Sequence, residues 1–147
     1  MSSFEFAETP DRWGLALESH AVVQCRVDYA FTLVIDGPSD GLEVRIQQPF
    51  ELLSGADGET PVRIDPNGDP SGLVPALGLW RAELVEALAF KDGRLELRFA
   101  EGERLHVPAG EKFEPWTLVG PAELRLVSMP GGDLAVWKPE LNDSPSV

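Results

Sequence analysis

The segment "VVQCRVDYAFTLVI", residues 22 to 35, carries an apolar or aromatic side chain at every odd position: Val23, Cys25, Val27, Tyr29, Phe31, Leu33 and Ile35. Gln24, Arg26, Asp28 and Thr32 fall between them. A side-chain period of two, rich in β-branched and aromatic residues, predicts a strand with one buried face. The run exceeds the usual strand length of about 3–10 residues, so a bend or bulge is expected at Asp28 to Ala30. A turn cluster, "DGPSDG" (36 to 41), comes next. "LEVRI" (42 to 46) then alternates again with Leu42, Val44 and Ile46 inward, and the two runs together predict a β-hairpin.

Residues 54 to 72 are rich in Gly, Pro, Asp and Ser and read as a long surface loop. A short helix is expected at Leu73 to Leu79, with Pro75 tolerated in its first turn. "LWRAELVEALAFK" fits two periods. Trp80, Leu84, Ala87 and Leu88 line a helix, whereas Trp80, Ala82, Leu84, Leu88 and Phe90 share a strand face interrupted by Glu86. The neighbouring "KDGR" turn and the alternation of Leu95, Leu97 and Phe99 with Arg94, Glu96 and Arg98 favour the strand. With "EGE" leading into "RLHVP", the prediction is a three-stranded meander from about Arg81 to Pro108. After "AGEKFEP" come "WTLVG", "AELRLVSM" and "DLAVW".

The stretch "PGGDLAVW" (130 to 137) looks at first like a phosphate cradle. Such glycine loops work because a strand delivers them to a helix N-terminus, whose amides face the anion. Here alternation continues through Leu134 and Val136 and stops at Pro139. Pro130 and Gly131 suit the central positions of a type II turn, where the second residue needs positive φ. The motif reads as a hairpin.

These elements predict a mainly β fold (α+β at most). Eight to ten short antiparallel strands form a curled sheet, barrel-like or two-layer, with one short helix near residue 75. The 147 residues suit one domain, placed at 13–138, with an N-terminal arm at 1–12 and a disordered tail at 139–147. At 43% hydrophobic residues the core needs no disulfide staple, and Cys25 is the single cysteine. No basic leader followed by an apolar run is visible, and no window nears the roughly 20 apolar residues of a membrane span. A soluble cytoplasmic protein is expected.

Charge narrows the choice of partners. Twenty-five acidic residues against 12 basic give a formal net charge of −13. Such a surface repels phosphate backbones and anionic membranes, so neither nucleic acid nor membrane is an expected partner. It attracts a basic protein, and it also serves plain solubility.

Several segments resemble a family of small, mostly actinobacterial proteins catalogued as a domain of unknown function. They are "VDYAFTLVID", "RIQQPFEL", "DGRLELRFAEGERLHVP" and above all "FEPWTLVGPAELRLVSMPGGDLAVW". The resemblance spans about Trp13 to Trp137, with Trp116, Gly120, Pro121, Pro130, Gly131, Gly132 and Trp137 in register. It implies one domain and a strand at 82 to 90. It implies no catalytic residue, cofactor or substrate.

Reaction chemistry finds little material. Cys25 needs a base, and the histidines are His20 and His106; Cys25 lies on the apolar strand face while His106 alternates outward beside Arg104. Neither zinc nor calcium is expected: two isolated histidines do not make a zinc set, and "DGPSD" and "DPNGD" read as ordinary turns. No cofactor is expected and no catalytic residue is assigned. Glu86 is the carboxylate to inspect, because a buried acid on that face has a raised pKa; a bulge that releases it to solvent is the plainer alternative.

Binding is the stronger expectation. Large amphipathic rings either fill a core or anchor an interface, so Trp80, Trp116 and Trp137, with Tyr29 and Glu86, are the binding and interface candidates. The last strand is expected at a sheet edge, where self-association through the C-terminal hairpin competes with core packing. The leading function is a non-catalytic protein-interaction module, for instance an acidic immunity-like protein that neutralises a basic partner. A second is a small-ligand binder using a sheet interior lined by Tyr29, Phe31, Phe99 and a tryptophan. A carboxylate-based hydrolase using Glu86 ranks last.

Overall fold

The computed structural model describes residues 4–38, 41–53 and 60–137. Among these run thirteen strands. The first seven are β1 (Phe4–Glu8), β2 (Arg12–Leu17), β3 (Ala21–Val27), β4 (Phe31–Asp36), β5 (Leu42–Ile46), β6 (Phe50–Leu53) and β7 (Val62–Ile64). A 3₁₀ turn (Pro70–Leu73) leads into the helix α1 (Val74–Leu77). There follow β8 (Leu84–Phe90), β9 (Leu95–Phe99), β10 (Arg104–Val107), β11 (Trp116–Val119), β12 (Arg125–Ser128) and β13 (Leu134–Trp137).

The strands form two antiparallel sheets. A seven-stranded sheet has the order β1-β2-β8-β9-β10-β6-β7, and a six-stranded sheet has the order β13-β12-β11-β5-β4-β3. The inward faces of both sheets supply one hydrophobic core. Phe31, Leu33 and Ile35 of β4 join Leu42, Val44 and Ile46 of β5, while Leu95, Leu97 and Phe99 of β9 meet them from the other layer. Each such side chain, taken from water, contributes roughly 1.5–3 kcal/mol. Of the barrel-like and two-layer alternatives, the two-layer one is present.

The mainly antiparallel β class, the helix near residue 75 and the strand at 84–90 follow the sequence pattern, but several details differ. The run from 22 to 35 is two strands, reversed at Asp28 to Ala30, where Tyr29 takes φ +71° and the Asp28 amide donates to the Ala30 carbonyl at 3.1 Å. What alternation alone makes one bent strand is a hairpin, because both arms carry the same period. A bulge between Val22 and Gln24 turns Val23 outward, so the buried face of β3 begins at Val22. The N-terminal arm contributes β1, a full edge strand paired with β2. The stretch read as a loop from 54 to 72 contains β7, which pairs with β6. Strands therefore exceed the eight to ten expected. The expected tail at 139–147 lies outside the described residues.

The β12–β13 connection is a hairpin turn. Gly131 has φ +91° and the Gly132 amide closes the turn on the Met129 carbonyl at 3.0 Å, as a type II turn requires. A chain continuing into β13 rather than a helix leaves no anion cradle there.

Candidate functional site

The end of α1 sets up a groove around an exposed tryptophan. Amides of Gly78, Leu79 and Trp80 bond back to Pro75, Ala76 and Leu77, winding the chain tightly past the helix. Leu79 is buried and Trp80 is thrown outward. The segment is tied to β3: Arg81 N–H donates to the Val22 carbonyl at 2.8 Å, and Val22 N–H to the Ala82 carbonyl at 2.9 Å. The Trp80 indole N–H donates to the Val23 carbonyl at 3.0 Å, which fixes the ring while leaving it 53% exposed. Val74 and Leu77, a turn earlier, are exposed too.

The β9–β10 turn closes the other wall. Ala100 N–H bonds the Glu83 carbonyl at 2.9 Å, and the Phe99 amide reaches the Glu103 carbonyl at 3.0 Å. The result is an open groove of about 370 Å³ lined by Trp80, Arg81 and Glu83 from the segment between α1 and β8 and by Glu101 and Glu103 from the β9–β10 turn. The Arg81 guanidinium lies 5.0 Å from the centre of the Trp80 ring. One carboxylate oxygen of Glu103 is shut from water without a hydrogen-bond partner among the described residues.

Most other carboxylates near a basic group are engaged. Arg26 meets Glu43 at 3.5 Å, Arg45 meets Asp28 at 3.0 Å, Arg94 meets Asp92 at 2.9 Å, and Lys91 pairs with Glu8. No ion pair reaches Glu83, Glu101 or Glu103 among the described residues. Three carboxylates against the one guanidinium of Arg81 leave the groove an excess of negative charge beside an exposed aromatic ring, an arrangement that attracts organic cations.

The remaining sequence candidates lie elsewhere. Trp116 is fully buried and belongs to the core: its indole N–H donates to the Gly93 carbonyl at 2.8 Å, so it is no interface anchor. Trp137 is 53% exposed on β13, at the margin of the six-stranded sheet. Tyr29 stands at the β3–β4 turn, 86% exposed. Phe31 and Phe99 are buried in the packed core, so the proposed lining of an interior ligand cavity does not converge; that version of small-ligand binding is overturned.

Glu86 follows a bulge between Leu84 and Glu86 that shifts the phase of β8. Beyond it Ala87 and Ala89 turn into the core, and Glu86 stands on the outer face, where it accepts from Arg98 at 3.2 Å. Arg98 also donates to Glu96 at 2.7 Å, and that hydrogen bond foremost pushes its pKa upward. Glu86 is therefore a paired, half-exposed carboxylate rather than a buried acid.

Cys25 is half-buried, and burial pushes its thiol pKa up. His20 is buried with Nδ1 2.8 Å from the Glu18 carbonyl, and no hydrogen bond joins either histidine to Cys25 among the described residues. His106 faces outward on β10, opposite Glu96 and Glu51. Among the described residues no three His, Cys, Asp or Glu side chains gather as a metal ion requires. Asp65 and Asp69 bond the amides of Asn67 and Ser71, as turn aspartates do. No described helix is long and apolar enough to cross a membrane.

Sequence reasoning singled out Trp80 and missed its setting. Arg81, Glu83, Glu101 and Glu103 were legible only as two turn-flanking charge runs, "RAE" and "EGE". Nothing in their spacing says that the hydrogen bond from Ala100 N–H to the Glu83 carbonyl brings the two runs together.

Fold and site together define a two-layer antiparallel β domain that bears an acidic groove around an exposed indole. The chain belongs to a family of unknown function, DUF6188, whose model matches residues 13–138, from the second residue of β2 to just past β13. The matched span contains every residue of the groove. No curated protein and no solved structure matches the chain.

Proposed function

We propose that this protein is a non-catalytic interaction module whose Trp80 groove docks a basic protein partner. The observation that carries the reading is the exposed indole of Trp80 in a groove whose three carboxylates make no ion pair among the described residues. Exposed apolar surface rimmed by charge marks interaction sites, and tryptophan is prominent among residues that dominate binding energy. The overall charge of −13 accelerates encounter with a basic protein, and the groove gives that attraction a place to settle. An immunity-like role, neutralising a basic toxin, is the concrete form we favour.

The test compares proteins co-purified with the wild type and with Trp80→Ala from the native host, followed by titration of the recovered partner. A basic partner is expected whose affinity falls at least about thirtyfold in Trp80→Ala, the loss of a hot spot of about 2 kcal/mol or more. A partner that binds Trp80→Ala as tightly as wild type refutes the groove as its docking site.

A second reading concerns self-association. Among the described residues β13 has no strand on its outer side, its Leu134 and Val136 are half-buried, and Trp137 stands exposed beside them. An open edge of this kind pairs readily with another chain. Light scattering at high micromolar concentration tests it: Val136→Lys is expected to convert a dimer to a monomer, and a strict wild-type monomer removes the idea.

A further inference from the structure

The groove already contains a cation. Arg81 lays its guanidinium against Trp80, yet among the described residues it makes no ion pair with Glu83, Glu101 or Glu103, which line the same groove. Its backbone has φ +80°, a region that glycine adopts freely and a long side chain does not. Hydrogen bonds on both sides hold that conformation, from Arg81 N–H to the Val22 carbonyl and from Ala82 N–H to the Leu79 carbonyl. Strained backbone maintained by its surroundings is a mark of functional positions. Here it directs an exposed arginine onto an exposed ring, in a groove whose acids remain unmatched.

We infer that Arg81 is an internal stand-in for an arginine of the partner, and that the groove recognises a guanidinium stacked on Trp80. This rests on the reading of the groove as a docking site for a basic protein. Arginine suits it better than lysine for two reasons. A planar, weakly hydrated guanidinium stacks on an indole, where a compact ammonium keeps its water. Its forked N–H groups also pair with carboxylates two at a time, and Glu83, Glu101 and Glu103 line the same groove as the ring. To admit the partner's side chain, Arg81 rotates off the ring, a motion an exposed side chain makes within nanoseconds. Arg81 thereby competes with arginine and sets the threshold a partner must exceed.

Isothermal titration of the full chain tests this with three probes: a short Gly-Arg repeat peptide, its Gly-Lys counterpart and a Gly-Glu control. Wild type is expected to bind Gly-Arg more tightly than Gly-Lys. Arg81→Gly, which suits the backbone, is expected to bind Gly-Arg about two- to fivefold more tightly, the worth of one exposed cation–aromatic contact. Arg81→Gln supplies the same comparison should the glycine variant prove unstable in a thermal melt. Arg63→Gln, which removes an equal charge on β7, controls for net charge and is expected to give a smaller gain. Equal or weaker binding by the Arg81 variants, or an equal gain in Arg63→Gln, overturns the stand-in while leaving the groove in place. Gly-Arg binding that Trp80→Ala leaves unchanged overturns the docking reading and the stand-in together.

Discussion

Replacing Trp116 by phenylalanine separates a core tryptophan from a binding one. The indole is fully buried, and its N–H donates to the Gly93 carbonyl at 2.8 Å. The same carbonyl accepts the Ser128 hydroxyl, also at 2.8 Å. Gly93 lies in the β8–β9 turn, whereas Trp116 and Ser128 belong to the other sheet. One oxygen therefore clamps the two layers together. Trp116→Phe forfeits one hydrogen bond, about 1 kcal/mol. It also opens a cavity of roughly 40 Å³, which at about 24 cal/mol per Å³ costs about 1 kcal/mol more. The sum is about 2 kcal/mol, or about 4–8 °C in Tm for a domain of this size.

Ser128→Ala alone costs about 1 kcal/mol, because Trp116 still serves the carbonyl. The double variant leaves a buried acceptor with neither donor, so its cost is expected to exceed the sum of the single changes by about 1 kcal/mol. Trp137→Phe, on an exposed ring, is expected to fall within about 0.5 kcal/mol of wild type. Urea titrations followed by far-UV circular dichroism measure all four, with an unchanged m-value as the condition for comparing midpoints. A Trp116→Phe cost below about 0.5 kcal/mol, or strict additivity with Ser128→Ala, refutes the clamp.

Further outcomes follow from the same packing. A Cβ at Gly37 lands 2.3 Å from Nε2 of the buried His20 ring, so Gly37→Ala is expected to cost at least about 2 kcal/mol by overpacking; near-wild-type stability in a urea titration contradicts it. At Gly93 a Cβ meets the Gly132 carbonyl at 2.8 Å with φ at +101°, and Gly93→Ala is expected to lower Tm more than Trp116→Phe does. Burial raises the Cys25 pKa, so less thiolate forms at a given pH than in a free thiol. Iodoacetamide is therefore expected to alkylate Cys25 more slowly than glutathione between about pH 7 and 9, and a faster reaction counts against the assigned environment.

Fold class was legible because alternation survives in most strands: Leu42, Val44 and Ile46, or Leu95, Leu97 and Phe99, each present one buried face. What alternation hides is a break that keeps phase. The period runs through Tyr29 without a fault, although the chain reverses there, since a tight turn that preserves parity looks the same as a straight strand. Bulges hide for the opposite reason. At Val23 and Val85 one extra residue swaps inside for outside, so Val23 appears inward by count and lies outward in space. Among the tryptophans, composition names all four rings and separates none. Trp116 sits inside because a facing sheet offers its N–H a carbonyl, and Trp80 sits outside because the winding after α1 buries Leu79 instead. Such contacts are long-range and leave no local mark.

A net charge of −13 is compatible with plain solubility as well as with docking, and the two differ in what a single carboxylate is worth. If acidity only keeps the chain dispersed, every exposed acid is equivalent, and reversing any pair changes association with a cation to the same small extent. If the groove is where a basic partner settles, Glu101 and Glu103 act at short range, beside low-dielectric walls that focus their field. Glu101→Lys with Glu103→Lys is then expected to slow association with a Gly-Arg peptide at least about tenfold at low salt, with the difference collapsing as the Debye length shrinks toward 3 Å near 1 M. The matched control reverses Glu5 and Glu51, which lie on strands β1 and β6 away from the groove. Stopped-flow association rates across a salt series decide between them. Equal slowing by both pairs means that the field of the whole surface, and not the groove, draws the cation in.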